Sequence, residues 1–375
     1  MLKNKIEKYT INNKDIIIKK TIELIVTYKC NMKCSYCYEK DCNKIQLDNT
    51  ISNDTILKAI SFIYQEINNI NLSEDEYIDI QFWGGEPLLN VNTIDIFIQE
   101  FSSNKKIGYF KIHTNGSLII DNIDMLLKWK SITNNRLIIG VSYDYEPLQY
   151  VNRQHSNKKI VRNSIKVLDY FGFNYLIKTT MFHKDLENNL FNIYKDYILF
   201  RKLLKKENYF LLAIDTTKKT KCNINNVKYE FDKILDYIVK NNISISGFFS
   251  WDKNLTNRIK CRSFTNNLVC IDLLSESLYC CQGAVFHPKH DLFKYGSLND
   301  SYEKISNSIS IKTSQIKYDE TCEKCQTFCR ACPIDSVQTS LVDYAKIIQR
   351  DNHCDVYALI DEYRVKFRKF VDNLK

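Results

Sequence analysis

The chain has 375 residues, of which 44% are hydrophobic and 13% aromatic, enough to bury a substantial core in one large barrel domain or two smaller ones. It has no apolar run of about 18 residues, and residues 1–20 lack the apolar centre of a signal peptide, so we expect a cytoplasmic protein without a membrane partner. The net charge is +9, but Lys and Arg are spread along the chain, so no nucleic-acid partner is expected.

In chain order, β-branched apolar runs alternate with segments of helical periodicity. The predicted strands are 22–28, 77–83, 108–114, 136–144, 175–181 and 209–215, and the predicted helices between them are 52–70, 92–103, 122–130, 158–172 and 187–205. Alternating strands and helices indicate parallel βαβ units. The predicted fold class is therefore α/β, a partial (β/α)6 TIM-type barrel with a cysteine-rich C-terminal extension.

The sequence predicts four segments. They are an N-terminal extension (1–21), a barrel core (22–220), a linking segment (221–255) and a cysteine-rich domain that ends in a helix (256–375).

Small and polar residues follow the first four predicted strands. The first strand runs into Cys30, and the next three run into "GGEP" (84–87), "TNG" (114–116) and "SYD" (142–144). In barrels of this kind chemistry gathers where strands end and loops begin, and glycine lets the backbone approach a ligand closely. We therefore expect the functional site at these strand ends.

The 14 cysteines are unevenly distributed. Three lie in Cys30–Cys37, Cys42 follows closely, Cys222 stands alone, and nine fall between Cys261 and Cys354. Because disulfides are rare in cytosolic proteins, this density indicates metal binding or catalysis.

The stretch "CNMKCSYC" places Cys30, Cys34 and Cys37 at spacings of four and three, with Tyr36 before the last cysteine. Three thiolates on a four-iron cluster leave one iron open for a ligand other than protein. The pattern resembles the C-x-x-x-C-x-x-C signature of the radical S-adenosylmethionine (radical SAM) superfamily. The alternative is a zinc knuckle that takes Cys42 as its fourth ligand.

This resemblance implies a mechanism and two cofactors. The open iron of a 4Fe–4S cluster would bind the amino and carboxylate groups of S-adenosylmethionine (AdoMet). An electron from the reduced cluster would cleave AdoMet to a 5′-deoxyadenosyl radical, which abstracts a hydrogen atom from the substrate. An oxidoreductase of this kind needs an electron donor such as flavodoxin or ferredoxin.

The resemblance also assigns cofactor-binding roles to residues at the strand ends. "GGEP" is similar to the motif that receives the methionine amino group, and the polar residues of "TNG" and "SYD" are similar to groups near the ribose and carboxylate. Tyr145 stands where many relatives have glycine. The residues so assigned are Gly84, Gly85, Glu86, Asn115, Ser142 and Asp144, with Tyr36 near the adenine and Arg153 at a position where peptide-modifying relatives often carry arginine.

The C-terminal third resembles the SPASM extension, which holds two auxiliary iron–sulfur clusters. The resemblance assigns Cys322, Cys325, Cys329 and Cys354 to an outer cluster, and Cys261, Cys281 and Cys332 to an inner one with Cys270 as possible fourth ligand. The close spacing of "CEKCQTFCRACP" departs from the pattern. The segment "LVCIDLLSESLYCC" (268–281) is a predicted hairpin, and the glycine expected five residues before its ligand cysteine is Glu276 if that ligand is Cys281, or Ser275 if it is Cys280. A single auxiliary cluster and a closed zinc site remain the alternatives.

The remaining cysteines, Cys42 and Cys222, are interpreted as ordinary buried side chains. A thiol that donates a hydrogen atom to a substrate radical is the functional alternative. Its best candidate is Cys280, the member of the Cys280/Cys281 pair that the inner cluster does not use.

Relatives with this extension mostly modify peptides, so we expect maturation of a ribosomally synthesised peptide by crosslinking or epimerisation. We expect that residues 1–21 leave no room for a leader-binding domain. The barrel, the extension or a separate leader-binding protein would then recognise the leader, or the substrate carries no leader. The second hypothesis is an anaerobic sulfatase maturase, but those enzymes carry an aspartate base where this chain has Gln282. A base elsewhere, Asp272 or Glu276, would then be required. The third hypothesis is a non-enzymatic zinc or electron-transfer protein.

Overall fold

The structure is a computed structural model. It describes residues 7–11, 14–37, 39, 50–154, 156–205, 210–214, 222–241, 243, 266–314, 317–318, 346–347, 355–356, 358–360, 362–363 and 365–366. The cysteines that lie outside these ranges are Cys42, Cys261, Cys322, Cys325, Cys329, Cys332 and Cys354, so the predictions made for them stay predictions.

The strands of the described chain follow the predicted order. They are β1 (Glu7–Ile11), β2 (Lys14–Ile25), β3 (Lys33–Cys34), β4 (Glu76–Trp83), β5 (Ile107–Thr114), β6 (Leu137–Ser142), β7 (Arg153–Gln154), β8 (Asn174–Met181), β9 (Phe210–Ile214), β10 (Leu268–Asp272), β11 (Ser277–Tyr279), β12 (Lys294–Ser297), β13 (Lys317–Tyr318) and β14 (Lys346–Ile347).

Ten of these strands form one sheet in the order β12-β11-β10-β2-β4-β5-β6-β8-β9, with β1 paired to β2. Strands β10, β2, β4, β5, β6, β8 and β9 pair in parallel. All six predicted strands are present, and the predicted α/β barrel class is confirmed. Parallel neighbours must be joined by crossovers, which the helices supply.

The helices are α1 (Asn53–Asn69), α2 (Val91–Phe101), α3 (Ile123–Ile132), α4 (Leu148–Asn152), α5 (Lys158–Tyr170), α6 (His183–Asn188), α7 (Leu190–Arg201), α8 (Ile224–Lys240), α9 (Gln282–Val285) and α10 (Tyr302–Ser314). Helix α1 begins where the sequence predicts, because the hydroxyl of Ser52 accepts the Thr55 N–H at 3.0 Å. In the described chain no helix is long and apolar enough to cross a membrane.

The two faces of the sheet have different chemistry. On the helix-facing side the strands contribute apolar residues such as Ile22, Ile80 and Ile112, all fully buried. On the inner side, a small apolar layer of Ile18, Tyr109 and Ile138 lies toward the amino ends of the strands. Polar side chains occupy the inner positions nearer the carboxyl ends, so the barrel interior is apolar at one end and polar at the other.

The N-terminal boundary expected at 21–22 lies inside β2, which begins at Lys14. The pair Lys19 and Lys20 hides this strand in the sequence, but Lys20 is buried and forms an ion pair with Glu66 of α1. Residues expected to precede the barrel are therefore part of its sheet.

The C-terminal third continues the barrel sheet. Strand β10 extends the parallel sheet at β2, pairing Cys270 with Glu23, and the Tyr28 hydroxyl donates to Asp272 at 2.5 Å. Farther along the chain, the ring of Tyr363 stacks on Phe231 of α8 at 4.8 Å. Helix α8 lies in the segment predicted as a linker, so that segment contains packed structure.

Candidate active site

The loops that follow β2, β4, β5 and β6 meet at the carboxyl edge of the sheet. The backbone N–H of Gly85 donates to the Thr27 carbonyl at 3.0 Å, and the Asn115 amide donates to Asn31 at 2.8 Å. A third contact comes from α4, where the Asn152 carbonyl accepts the Ser35 N–H at 2.7 Å. The predicted site residues of these loops are therefore brought together around the Cys30–Cys37 loop.

Gly84 and Gly85 occupy positions where a side chain has no space. A Cβ at Gly84 would lie 2.2 Å from the Thr27 carbonyl oxygen, and one at Gly85 would lie 2.3 Å from that of Lys29. Gly84 also has a φ of 146°, a conformation that favours glycine. These glycines allow the loop after β4 to pack directly against the backbone that leads into Cys30.

Glu86 is a fully buried carboxyl that lies between three donors. It accepts the Thr114 hydroxyl at 2.8 Å and the backbone N–H groups of Asn115 at 2.7 Å and Leu88 at 3.1 Å. Burial raises its pKa to about 7, although these hydrogen bonds favour the charged form. A cationic group bound here would tip the carboxyl to its ionised state.

Asn115 connects its loop to the first cysteine. Its amide nitrogen lies 3.9 Å from Cys30 Sγ, and its side-chain oxygen accepts the backbone N–H and the hydroxyl of Ser117 at 2.9 and 2.6 Å. Ser142, the fourth-loop residue expected near the cofactor, ends β6 and is half-buried.

The three cysteines of the signature lie in one exposed loop. Cys30 is exposed and Cys34 and Cys37 are half-buried, with the Cys37 N–H donating to the Cys34 carbonyl at 3.1 Å. Although Cys30 is open to solvent on one side, the protein around it raises the pKa of its thiol to about 12, and burial raises that of Cys37 to about 12. Negative charge on Cys34 or Cys30 contributes to the raised pKa of Cys37. The three thiols are therefore close enough to interact electrostatically.

Three thiols are the ligand set of a four-iron cluster that has one open iron. Within the described ranges no three His, Cys, Asp or Glu side chains converge to hold one metal ion. A mononuclear zinc site needs ligands about 2.3 Å from one point, whereas a four-iron cluster takes each thiolate at a different iron. Three neighbouring thiols that are neutral at pH 7 become thiolates when such a cluster binds.

Asp144 and Arg153 form a buried ion pair beside the cysteine loop. Asp144 Oδ2 accepts Arg153 Nε at 2.9 Å and the Tyr36 hydroxyl at 2.5 Å, and Oδ1 accepts the Thr180 N–H at 2.9 Å. Arg153 Nη1 lies 3.9 Å from Cys34 Sγ. The oxygens of Asp144 therefore contact protein groups, and Tyr36, expected to act near the adenine through its backbone, also contributes a side-chain hydrogen bond.

Tyr145, which replaces the glycine of many relatives, adopts the backbone conformation that glycine would supply. Its φ is 59°. Its buried ring packs against the rings of Tyr143 and Tyr197, with ring centroids 4.7 and 5.8 Å away. Aromatic packing thus holds a left-handed residue at this turn, at a cost that a non-glycine residue ordinarily carries.

The described C-terminal cysteines lie on the β10–β11 hairpin and just after it. Cys270 and Cys280 are fully buried, and Cys281 is half-buried immediately before α9. Cys222, interpreted as an ordinary side chain, is buried at the start of α8. Cys280, the candidate hydrogen donor, donates its backbone N–H to the Phe293 carbonyl at 3.2 Å.

A carboxylate that the sequence did not single out lies beside Gln282. Glu23, buried on β2, accepts the Gln282 backbone N–H at 2.7 Å. With its nitrogen oriented toward Glu23, the Gln282 side-chain amide also donates to both carboxylate oxygens, at 2.8 and 3.0 Å. By contrast, Asp272 accepts the Tyr28 hydroxyl, and Glu276 accepts the Thr55 hydroxyl at 2.5 Å.

A chain of hydrogen bonds crosses the inner face of the barrel. Thr21 donates to Asp79 at 2.6 Å, Gln81 donates to the same carboxylate at 2.5 Å, and Gln81 Oε1 lies 2.9 Å from His113 Nε2. The Trp83 ring stacks on His113 at 3.5 Å. The signal for these residues was present in the sequence, because polar side chains at every second position of a strand mark one face.

Residues 24–197 match the model of the Radical SAM superfamily. Among curated proteins, the radical SAM cyclopropyl synthase TigE of Paramaledivibacter caminithermalis is 23% identical over 389 residues, covering 95% of this chain and 78% of that protein. The matched family segment carries the Cys30–Cys37 loop and the loops that contact it. Through this segment, residues 24–197, the chain is similar to the radical SAM superfamily.

Two solved structures share the fold at low sequence identity. The anaerobic sulfatase maturase anSMEcpe with bound AdoMet is 17% identical, with a TM-score of 0.66 over 95% of this chain and 96% of that one. Streptococcus suis SuiB is 15% identical, with a TM-score of 0.56 over 86% of this chain and 75% of that one. Similarity to this superfamily implies an enzyme with a 4Fe–4S cluster and AdoMet as cofactors.

Proposed function

We propose that this protein is a peptide-modifying radical SAM enzyme that matures a ribosomally synthesised peptide by crosslinking or epimerisation. One observation carries the proposal. Glu86, Asn115 and Arg153, from three loops, converge on a three-cysteine loop above a barrel interior with polar inner walls. The relatives supply the substrate class, since anSMEcpe has been solved with AdoMet and the Cp18Cys peptide.

In this proposal the strand-end residues bind and orient AdoMet. The carboxylate of Glu86 binds the methionine ammonium, and Gly84 and Gly85 let the backbone approach it. Asn115 and Ser142 bind the ribose and carboxylate, while Asp144 holds Arg153 in place. Cys30, Cys34 and Cys37 would hold the cluster, which would supply the electron for reductive cleavage of AdoMet.

The C-terminal cysteines hold one or two auxiliary iron–sulfur clusters in this proposal. Cys270 and Cys281 would contribute from the β10–β11 hairpin and the residues after it. The remaining ligands would be Cys261, Cys322, Cys325, Cys329, Cys332 and Cys354. A flavodoxin or ferredoxin supplies electrons, and a separate leader-binding protein is a further candidate partner.

A second candidate function is formylglycine formation on a sulfatase. Gln282 cannot accept a proton, because its amide offers only hydrogen bonds. The carboxylate of Glu23 hydrogen-bonds to this residue and projects from β2 on the inner side of the barrel. Glu23 could therefore act as the base that the aspartate of sulfatase maturases supplies, and it fits that role better than Asp272 or Glu276.

The first test replaces Cys30, Cys34 and Cys37 together by Ala in protein prepared without oxygen. We expect the variant to lose reductive cleavage of AdoMet to 5′-deoxyadenosine while it keeps part of its iron. Cys222→Ala, a single buried cysteine outside both motifs, is the matched control and should cleave AdoMet normally.

The metal content of the wild type is a second test, and iron should exceed zinc. Cleavage by the triple variant, or a protein that holds zinc and no iron after reconstitution, would contradict the proposal.

A further inference from the structure

Arg153, which forms an ion pair with Asp144, lies directly across from Cys34, a proposed cluster ligand, in a two-stranded sheet. Strands β3 and β7 pair antiparallel, with Cys34 directly opposite Arg153 and Lys33 opposite Gln154. A further backbone hydrogen bond, from Ser35 to Asn152 at 2.7 Å, continues this pairing. The position of the guanidinium relative to the cysteine is therefore set by main-chain hydrogen bonds rather than by a flexible side chain alone.

The pair is enclosed by protein. Arg153 is 4% exposed and Asp144 is fully buried. The carboxylate accepts four protein donors, namely Arg153 Nε at 2.9 Å, Arg153 Nη2 at 3.4 Å, the Tyr36 hydroxyl at 2.5 Å and the Thr180 N–H at 2.9 Å. Asp144 is thus built to hold Arg153 in place.

The ion pair is oriented so that the guanidinium of Arg153 faces the sulfur of Cys34. Arg153 uses Nε and Nη2 on the carboxylate, and its remaining nitrogen, Nη1, lies 3.9 Å from Cys34 Sγ. The same guanidinium lies 5.4 Å from the centre of the Tyr36 ring. Because charges interact strongly where water is excluded, this cation acts on the electron density of the Cys34 sulfur.

We infer that the Asp144–Arg153 pair sets the reduction potential of the cluster held by Cys30, Cys34 and Cys37. Hydrogen bonds and positive charge at the ligand sulfurs favour the reduced, more negative cluster. Arg153 is a positioning residue that raises the potential through Cys34, and Asp144 moderates that effect. One electron from a flavodoxin- or ferredoxin-type donor then reduces the cluster more readily. The inference rests on the proposed cluster site but needs no peptide substrate.

The test is an EPR-monitored redox titration of the full-length protein, reconstituted without oxygen. The signal followed is the reduced-cluster signal that changes when AdoMet is added, which separates this cluster from any auxiliary one. In Arg153→Gln we expect the ratio of reduced to oxidised cluster at a fixed potential to fall about tenfold, which is about 59 mV for a one-electron couple. In Asp144→Asn, where the arginine charge is no longer balanced, we expect a shift in the opposite direction.

Two further variants separate charge from structure. Arg153→Lys keeps the cation and should keep most of the potential. Arg162→Gln removes another partly buried arginine, which pairs with Asp196 at 2.6 Å, and should leave the potential unchanged. Local disruption would shift the reduction potentials of Arg153→Gln and Asp144→Asn in the same direction. Loss of opposite charges should shift the two potentials in opposite directions. If Arg153→Gln fails to bind iron, the upward shift in Asp144→Asn decides the question.

The outcomes are distinguishable from those of the proposed function. Shifts of equal sign, or none, in a wild-type protein that shows the AdoMet-responsive signal would overturn this inference alone. A wild type without that signal would overturn the cluster site and the inference together. Opposite shifts in a protein that modifies no peptide would support the inference and count against the peptide substrate only.

Discussion

Glu86 is a buried carboxyl with a pKa raised to about 7, so under its proposed role AdoMet binding should be sensitive to pH. In that role its charged form would pair with the methionine ammonium, but burial favours its neutral form below that pH. We therefore expect affinity for AdoMet to rise by about tenfold per pH unit up to about pH 7 and to level off above it. Equilibrium dialysis against AdoMet across pH 5.5 to about 8.5 measures this profile.

The matched variant is Glu86→Gln, which keeps the shape but cannot ionise, so its weaker affinity should not follow this profile. Stability gives an independent reading. Because the folded-state pKa lies above the ordinary 4.5, the neutral carboxyl favours the folded state, and the free energy of unfolding should fall as pH rises from 4.5 to about 7 and then level off. A wild-type profile as flat as that of the variant would contradict the assignment.

Gly85 is a position where one methyl group tests the packing of the site. A Cβ there would lie 2.3 Å from the Lys29 carbonyl oxygen and 2.8 Å from that of Tyr28. We expect Gly85→Ala to cost about 1–3 kcal/mol in the free energy of unfolding, because backbone atoms must move to make space. It should also weaken AdoMet binding. Urea unfolding measures the first effect and dialysis the second.

The control for that change is Gly283→Ala. A Cβ at Gly283 would meet nothing closer than Cys281 Sγ at 3.8 Å, which is ordinary van der Waals contact. Its stability should stay close to that of the wild type. Equal losses in the two variants would mean that the short distances at Gly85 do not govern its tolerance.

Individual residues differ in how far the sequence predicted them. The "GGEP" and "TNG" motifs were predictable, because glycine and short polar side chains at strand ends carry a local signal. The buried pair of Asp144 and Arg153 was not predictable as a pair, since it depends on β7 folding back against β3. Glu23 was missed for a similar reason, because its partner Gln282 is 259 residues away in sequence.

At the scale of elements, local periodicity was sufficient for the barrel and insufficient for its edges. The six central strands and their helices were predicted because apolar runs and helical faces repeat within short windows. Strand β1 and the place of β10 were not, since a strand at one end of a sheet is defined by its partner. Parallel pairing of β10 with β2 joins residues more than 240 positions apart and has no local signal.

The contact between Tyr28 and Asp272 joins the barrel to the β10–β11 hairpin. The hydroxyl donates to the buried carboxylate at 2.5 Å, and Ser275 donates to the same group. We expect Tyr28→Phe to cost about 1–3 kcal/mol, because it leaves a buried acceptor without one of its donors. A double-mutant cycle with Asp272→Asn, followed by urea unfolding, should give a coupling of similar size. Additive losses would show that the two elements are not joined through this pair.

At the scale of the whole molecule, the barrel core and the C-terminal hairpin, which the sequence predicted as separate segments, share one sheet. The barrel supplies the strand-end loops around Cys30 and the polar interior, while the hairpin that follows it continues the same sheet and brings Gln282 to Glu23. Any substrate that enters the barrel therefore encounters groups from both ends of the chain. The two candidate functions differ in what those groups must do, since formylglycine formation requires a base at this place.

The last prediction separates the two candidate functions on the intact protein. We expect no formylglycine from a sulfatase-motif peptide, because Gln282, which stands where sulfatase maturases carry an aspartate base, cannot accept a proton. A small peptide encoded beside the gene should instead stimulate AdoMet cleavage. It should lose two hydrogens if it is crosslinked, or keep its mass and gain deuterium in heavy water if it is epimerised. Mass spectrometry of both peptides after anaerobic incubation measures these outcomes.

Formylglycine in the sulfatase peptide would reverse the ranking, and Glu23→Gln would then identify the base. In that case Glu23→Gln should abolish the product and added Gln282→Asp should restore it, while Glu276→Gln should have no effect.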